Sequence, residues 1–157
     1  MQKITPCLWF DGDGEEAARF YTSLFADSRV VDMSRYGAAG PGPEGEVMTV
    51  SFELDGQAFV ALNGGPQFSV NEAISFQVSC SDQVEVDAFW SALAEDGEEG
   101  LCGWLEDRFG VSWQIIPTAL PELLSDPDAE RSQRVMQAML SMKKLDVDAL
   151  ERAALRR

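Results

Sequence analysis

The chain has 157 residues, 45% of them hydrophobic, with four Trp and nine Phe; this is enough apolar material for one packed domain or two intimately packed halves, and it excludes a disordered chain. The formal charge of −15 lies wholly in residues 1–117, where five Lys or Arg face 20 Asp or Glu, a balance that repels phosphate backbones and anionic membrane surfaces and so sets aside nucleic-acid and membrane binding. There is no histidine, which removes the commonest general base and metal ligand.

In chain order, residues 2–10 read as a strand, and Asp11-Gly12-Asp13-Gly14 as a turn and helix cap. A helix is predicted over 15–25, with Ala17, Ala18, Phe20, Tyr21 and Leu24 on its packing side and Glu15 and Glu16 in its first turn. Residues 29–36 form a second strand. The stretch 37–45, with Pro41 and Pro43, is a loop. Residues 47–54 alternate apolar and polar, Asp55-Gly56 marks a hairpin, and 57–62 returns as its partner.

The same order then repeats. The run from Pro6 to Leu24 reappears from Ser75 to Leu93 at an offset of 69 residues, and a duplicated unit that cannot bury its apolar face alone packs against its twin. The second copy is expected as a strand over 73–80, a helix over 82–95, strands near 101–106 and a last strand over 111–117. Two copies argue for a pseudo-symmetric pair with a cleft rather than a solenoid. From Leu120 onward the residues are helix formers: Pro121 suits a first turn, Asp126-Pro127-Asp128 breaks and caps, 129–143 forms a helix, and Asp146 caps another through 155. The stripe Val135, Met136, Met139, Leu140 and Met142 reads as packing against the body or a second subunit.

The start of the chain carries no secretory signal pattern and no apolar run approaches the roughly 20 residues that cross a bilayer, so a cytoplasmic protein is expected. Cys7, Cys80 and Cys102, odd in number and without a CxxC pair, read as buried reduced thiols.

The strings ITPCLWFDG, FYTSLF, LNGGP, CGWLEDRFGVSWQIIPTALPELLSDPD and RVMQAMLSMKK resemble the PhnB-like branch of the vicinal-oxygen-chelate superfamily, which includes glyoxalase, bleomycin-resistance and extradiol-dioxygenase proteins. The resemblance spans essentially the whole chain. It implies an α+β fold in which two pseudo-symmetric β-α-β-β-β modules form cupped sheets with helices outside, followed by C-terminal helices. Residues 1–117 would hold the paired modules, 1–66 the first and 73–117 the second, with 118–157 as the helical extension. It also implies a homodimer that buries a small molecule in the concavity.

Methyl transfer, which names many relatives, calls for a glycine-rich turn opening a helix after a strand. Residues 37–45 instead contain two prolines and lead into another strand. The superfamily's metal positions fall on Pro6, Val60, Ser75 and Gln114, of which only Gln114 is a plausible ligand, while catalytic zinc or iron needs about three. No metal and no cofactor is therefore expected.

Counting faces from these positions nominates Leu8, Phe10, Val60, Leu62, Ser75, Gln77, Ser112 and Gln114 as the lining for a partly apolar ligand, with Trp104 and Phe68 at its mouth and Trp9 and Trp113 in the core. Glu53, an acid inside an apolar strand, is the candidate general acid or base should the chain be an enzyme. The leading expectation is a metal-independent small-molecule binder, with an isomerase-, glyoxalase- or dioxygenase-type enzyme as the alternative.

Overall fold

The computed structural model describes residues 2–156. The chain divides into two compact units, Met1–Val70 and Asn71–Arg157.

The first unit runs β1 (Cys7–Phe10), α1 (Gly14–Leu24), β2 (Arg29–Arg35), β3 (Val47–Leu54) and β4 (Gln57–Asn63), and its sheet has the order β1-β4-β3-β2, with β1 parallel to β4 and the other pairs antiparallel. The Asp55-Gly56 hairpin forms with positive φ at both residues, 50° and 75°, the geometry whose twist matches the flanking strands. One sheet face carries Leu8, Phe10, Val50, Phe52, Leu54, Phe59 and Ala61, all buried. α1 covers that face: the Tyr21 ring lies 6.4 Å from Phe52, and a Cβ on Gly14 would fall 3.3 Å from the Ala61 methyl.

The start of α1 differs from the expectation. Asp13 occupies the cap position without a side-chain cap bond; Asn63 at the end of β4 performs this role, its Oδ1 accepting the Gly14 N–H at 2.8 Å while its Nδ2 donates to the Val47 carbonyl at 3.1 Å. One amide thus ties a helix end to two strands. Asn63→Ala, which orphans the buried Gly14 N–H, is expected to lower stability by about 2 kcal/mol, read as a shifted urea midpoint at unchanged slope.

The second unit repeats the plan with β5 (Ser75–Cys80), α2 (Gln83–Ala94), β6 (Glu98–Glu99), β7 (Trp104–Glu106) and β8 (Ser112–Pro117), in the sheet order β5-β8-β7-β6. Its β5–β8 pair is parallel, as β1–β4 is in the first. Asp82 caps α2 by accepting the Glu85 N–H. Cys80, Leu105, Trp113 and Ile115 are buried on the helix side with Val86, Trp90 and Leu93 of α2. Where strands were expected around 101–106, residues 101–103 instead form a turn with positive φ at Cys102 (61°) and Gly103 (83°), and the acidic pair Glu98–Glu99 is the edge strand. Charge on a short edge strand discourages pairing with another chain.

Three helices complete this unit: α3 (Ala119–Leu124), α4 (Ala129–Leu140) and α5 (Val147–Leu155). Asp128 and Asp146 cap α4 and α5, and Arg134 donates to the Ala153 and Ala154 carbonyls at the end of α5, both at 3.0 Å. Leu120, Val135, Leu145, Leu150 and Ala154 form their core, with Ile116 of β8, Met139 and Met142 packed against it. The methionine stripe is thus largely internal packing, with Leu140 left 55% exposed.

Candidate functional site

In the second unit the face of the sheet away from α2 carries Ser75, Gln77 and Ser79 from β5, Ser112, Gln114 and Ile116 from β8, and Trp104 from β7. The register makes Trp104, Gln114 and Gln77 neighbours in one row across three strands, with Ser75 beside Ser112 in a second row. Gln114 is engaged at both ends of its amide at the centre: its Nε2 donates to Ser75 Oγ at 2.8 Å and its Oε1 accepts from Gln77 Nε2 at 3.3 Å. Ser75, Gln77, Ser112 and Gln114, expected on one face, share it, and Trp104, expected at the mouth, stands in the same row as Gln114 and Gln77. Ser112 is buried, whereas Gln77 is exposed.

A cavity of about 330 Å³ stands over the row, lined by Gln77, Ser79, Cys102, Trp104, Gln114 and Ile116 on the sheet side and Leu120, Pro121, Leu124 and Met139 on the helical side. Sequence reading missed the second wall entirely, because helices over 40 residues from β5 supply it. Cys102 was missed as well; the positive-φ turn that carries it is not implied by its neighbours.

The first unit requires a correction. Leu8 and Phe10, expected in the lining, are 8% and 3% exposed and sit beneath α1 with Ala61 and Val50. The residues facing away from α1 are Cys7 and Trp9, beside Val60 and Leu62. The cause is one residue of turn. Three residues join β1 to α1, but only two join β5 to α2. An offset that superposes the helices therefore shifts the strands by one, and a one-residue shift exchanges the two faces of a strand.

Trp9 consequently leaves the core: its ring covers Gly64, where a Cβ would come within 2.3 Å of it, its Nε1 donates to the Gly65 carbonyl at 2.8 Å, and Phe68 packs edge-on at 5.0 Å. Trp113 is core, as expected. Glu53 lies in the inner strand β3, half-buried and paired with Arg29 at 3.3 Å, and lines neither the cavity of the second unit nor that of the first.

The first unit has its own cavity, about 620 Å³, at the carboxyl ends of β1 and β4 between residues 11–15, 36–47 and 63–67. Three of its polar side chains, Glu15, Tyr36 and Asn63, are engaged with neighbouring structure. Tyr36 donates its hydroxyl to the Asn63 carbonyl, and the loop folds back so closely that a Cβ on Gly42 would overlap the Tyr36 ring.

Donor chemistry does not fit a resident metal. Among the described residues no three His, Cys, Asp or Glu side chains converge, and Gln114, the one plausible ligand, spends both amide ends on neighbours. The three cysteines are free thiols, but only Cys80 is buried; Cys102 is half-buried and Cys7 exposed. Burial, with the negative charges of Glu85 and Asp82, pushes the Cys80 thiol from 9.0 up to about 11. Because the folded value lies above the unfolded one, its contribution to stability is complete below pH 9 and is lost as pH rises towards 11. Cys80→Ala is expected to flatten this part of the alkaline decline in thermal midpoint, compared with the unaltered protein between pH 8 and 11.

Among the described residues no helix is long and apolar enough to cross a membrane. The sequence profile of the 3-demethylubiquinone-9 3-methyltransferase family matches residues 2–116. A PhnB protein of Bacillus cereus, described as a candidate 3-demethylubiquinone-9 3-methyltransferase, is 40% identical, with a TM-score of 0.69 over 74% of this chain and 100% of its own. The fosfomycin resistance proteins FosX of Mesorhizobium loti and Listeria monocytogenes share the fold at 14% and 13% identity, with TM-scores of 0.55 and 0.57, covering 80% and 77% of this chain and 99% and 94% of theirs. Among curated proteins no relative matches. The chain belongs to the 3-demethylubiquinone-9 3-methyltransferase family of PhnB-like proteins.

Proposed function

We propose that the chain is a metal-independent binding protein for a small, uncharged, partly apolar molecule held in the cavity of the second unit, and that it works as a cytoplasmic homodimer. One observation carries this reading. Charged residues make up 25% of the chain, yet none lines that cavity. An ionised ligand there would lose its hydration without gaining a counter-charge, whereas Trp104, Ile116, Leu120, Leu124 and Met139 offer apolar area around a few amides and hydroxyls, the usual makeup of a small-molecule site. The family name speaks of methyl transfer, but the glycine-rich segment 37–46 connects β2 to β3 and opens no helix, so it lacks the arrangement in which backbone amides at a helix start hold such a donor.

Calorimetric titration with 2-naphthol, a neutral planar probe with one hydroxyl, tests the reading. Binding is expected to survive exhaustive EDTA treatment within about twofold and to weaken at least about tenfold in Trp104→Ala, which removes the aromatic wall. Loss of binding on chelation would instead favour a metal enzyme of the same superfamily, and indifference to Trp104→Ala would move the site elsewhere.

A further inference from the structure

We infer that the ligand of this cavity carries an adjacent N–H and C=O on a planar ring, as in a lactam or cyclic imide, and that Gln77 reads that edge while Trp104 walls the ring body; the inference rests on the binding role proposed above. The row Trp104–Gln114–Gln77 contains three polar side chains, and they are unequally spent. Gln114 has both amide ends committed, to Ser75 and Gln77. Gln77 commits one N–H only. Its Oε1 and second N–H have no partner among the described residues, and neither does the Trp104 indole N–H. The central amide therefore acts as a brace, holding Gln77 from the neighbouring strand, while Gln77 keeps unused hydrogen-bonding capacity at the cavity.

These unused groups have a definite chemistry. A carboxamide presents one acceptor and one donor side by side, which matches the complementary pair of a lactam edge in two parallel hydrogen bonds. Neighbouring strands lie about 4.8 Å apart, which places the two ends of the row roughly two strand spacings from each other, a span suited to a fused bicyclic ring. Trp104 and the apolar helical wall of Leu120, Leu124 and Met139 enclose the ring body. A carboxylate in place of the lactam would meet the unpaired Gln77 carbonyl with no cation in the lining to offset it.

Three planar bicyclic probes separate the possibilities: 2-quinolinone, which has the edge; N-methyl-2-quinolinone, which keeps the carbonyl but loses the donor; and quinoline-2-carboxylate, which is charged. Affinities would be measured by calorimetry and ligand-observed NMR on the full chain and on Gln77→Met, an exposed position where the change leaves the fold intact by circular dichroism. The expected result is 2-quinolinone binding roughly tenfold tighter than its N-methyl form, the scale of one neutral hydrogen bond, with the carboxylate weakest and the preference for the lactam gone in Gln77→Met. Equal binding of the two neutral rings, or a preference that persists in Gln77→Met, would overturn the edge-reading role while leaving the neutral pocket standing. Tightest binding by the carboxylate, or binding by none of the three, would overturn the pocket reading together with it.

Discussion

Replacing Asp107 by Leu is expected to destabilise the second unit by about 3 kcal/mol or more and to weaken 2-naphthol binding with it. Asp107 is 2% exposed and is the hub of the turn between β7 and β8. Its Oδ1 accepts from the backbone N–H groups of Phe109 and Val111 at 2.8 and 3.0 Å, and its Oδ2 accepts from Trp113 Nε1 at 2.9 Å. The same residue's backbone closes the turn, its N–H bonding to the Val111 carbonyl and its carbonyl accepting from Gly110. Leucine fills the volume but leaves three buried or half-buried donors facing hydrocarbon, each costing roughly 1–3 kcal/mol unless water reaches it.

Asp107→Asn separates charge and geometry from mere polarity. One amide oxygen still accepts, but the amide nitrogen must then point a donor at another donor, so about half of the loss is expected. The functional consequence follows from register: this turn sets Trp104 opposite Gln114. Urea denaturation and probe titration of both variants check the pair of effects. A loss below about 1 kcal/mol in Asp107→Leu would show that the turn holds its shape by backbone bonds alone.

The Asp107 hub was within reach of sequence reasoning, because an Asp opening the Asp107-Arg108-Phe109-Gly110 turn is the residue type whose side chain bonds to amides further along. What could not be read was its reach to Trp113, a contact that depends on both strands being in place. The duplication was legible because apolar periodicity and turn residues are local signals, and both module helices and every strand but the acidic β6 arise from them. The inward faces were harder. In the second unit the alternation of Phe76, Val78 and Cys80 with Ser75, Gln77 and Ser79 shows which side is polar, so counting gave the right face. In β1 every residue is apolar or Cys, so nothing local distinguished Leu8 and Phe10 from Cys7 and Trp9, and the borrowed offset decided wrongly. The helical wall was invisible for another reason. Met139 and Leu124 look like any core residues of an amphipathic helix, and only the packed structure shows which of their sides meets a sheet.

Leu145→Ala is expected to show how that wall is held. Leu145 is fully buried in the segment between α4 and α5, and it seats against Gly103, where a Cβ would come within 3.0 Å of its side chain. On either side the chain is clamped: Gln83 at the start of α2 donates to the Leu145 carbonyl at 3.0 Å and accepts from the Val147 N–H at 2.7 Å, while Cys102 and Gly103 donate to the carbonyls of Met142 and Lys143. The Lys144–Asp87 pair at 2.8 Å draws the Asp87 carboxyl below its usual range, through its hydrogen bonds from Lys144 and then Gln83, but it is half exposed and adds little. The seat of Leu145 therefore links the core of the three helices to the Gly103 turn that leads into β7.

Truncation to Ala removes the transfer energy and leaves a cavity, a loss of about 2–5 kcal/mol. Because the anchor joins the three helices to the sheet rather than holding the sheet together, the effect is expected to be uneven. In hydrogen exchange, Cys102, Gly103 and the amides of α3 to α5 should lose protection by several orders of magnitude, while the β5–β8 ladder keeps most of its own. Probe affinity should fall in parallel, since Leu120, Leu124 and Met139 move with the helices. Uniform loss of protection across sheet and helices would mean that the helical extension and the β-α-β-β-β unit fold as one cooperative block, and the cavity wall could then open only when the whole unit does.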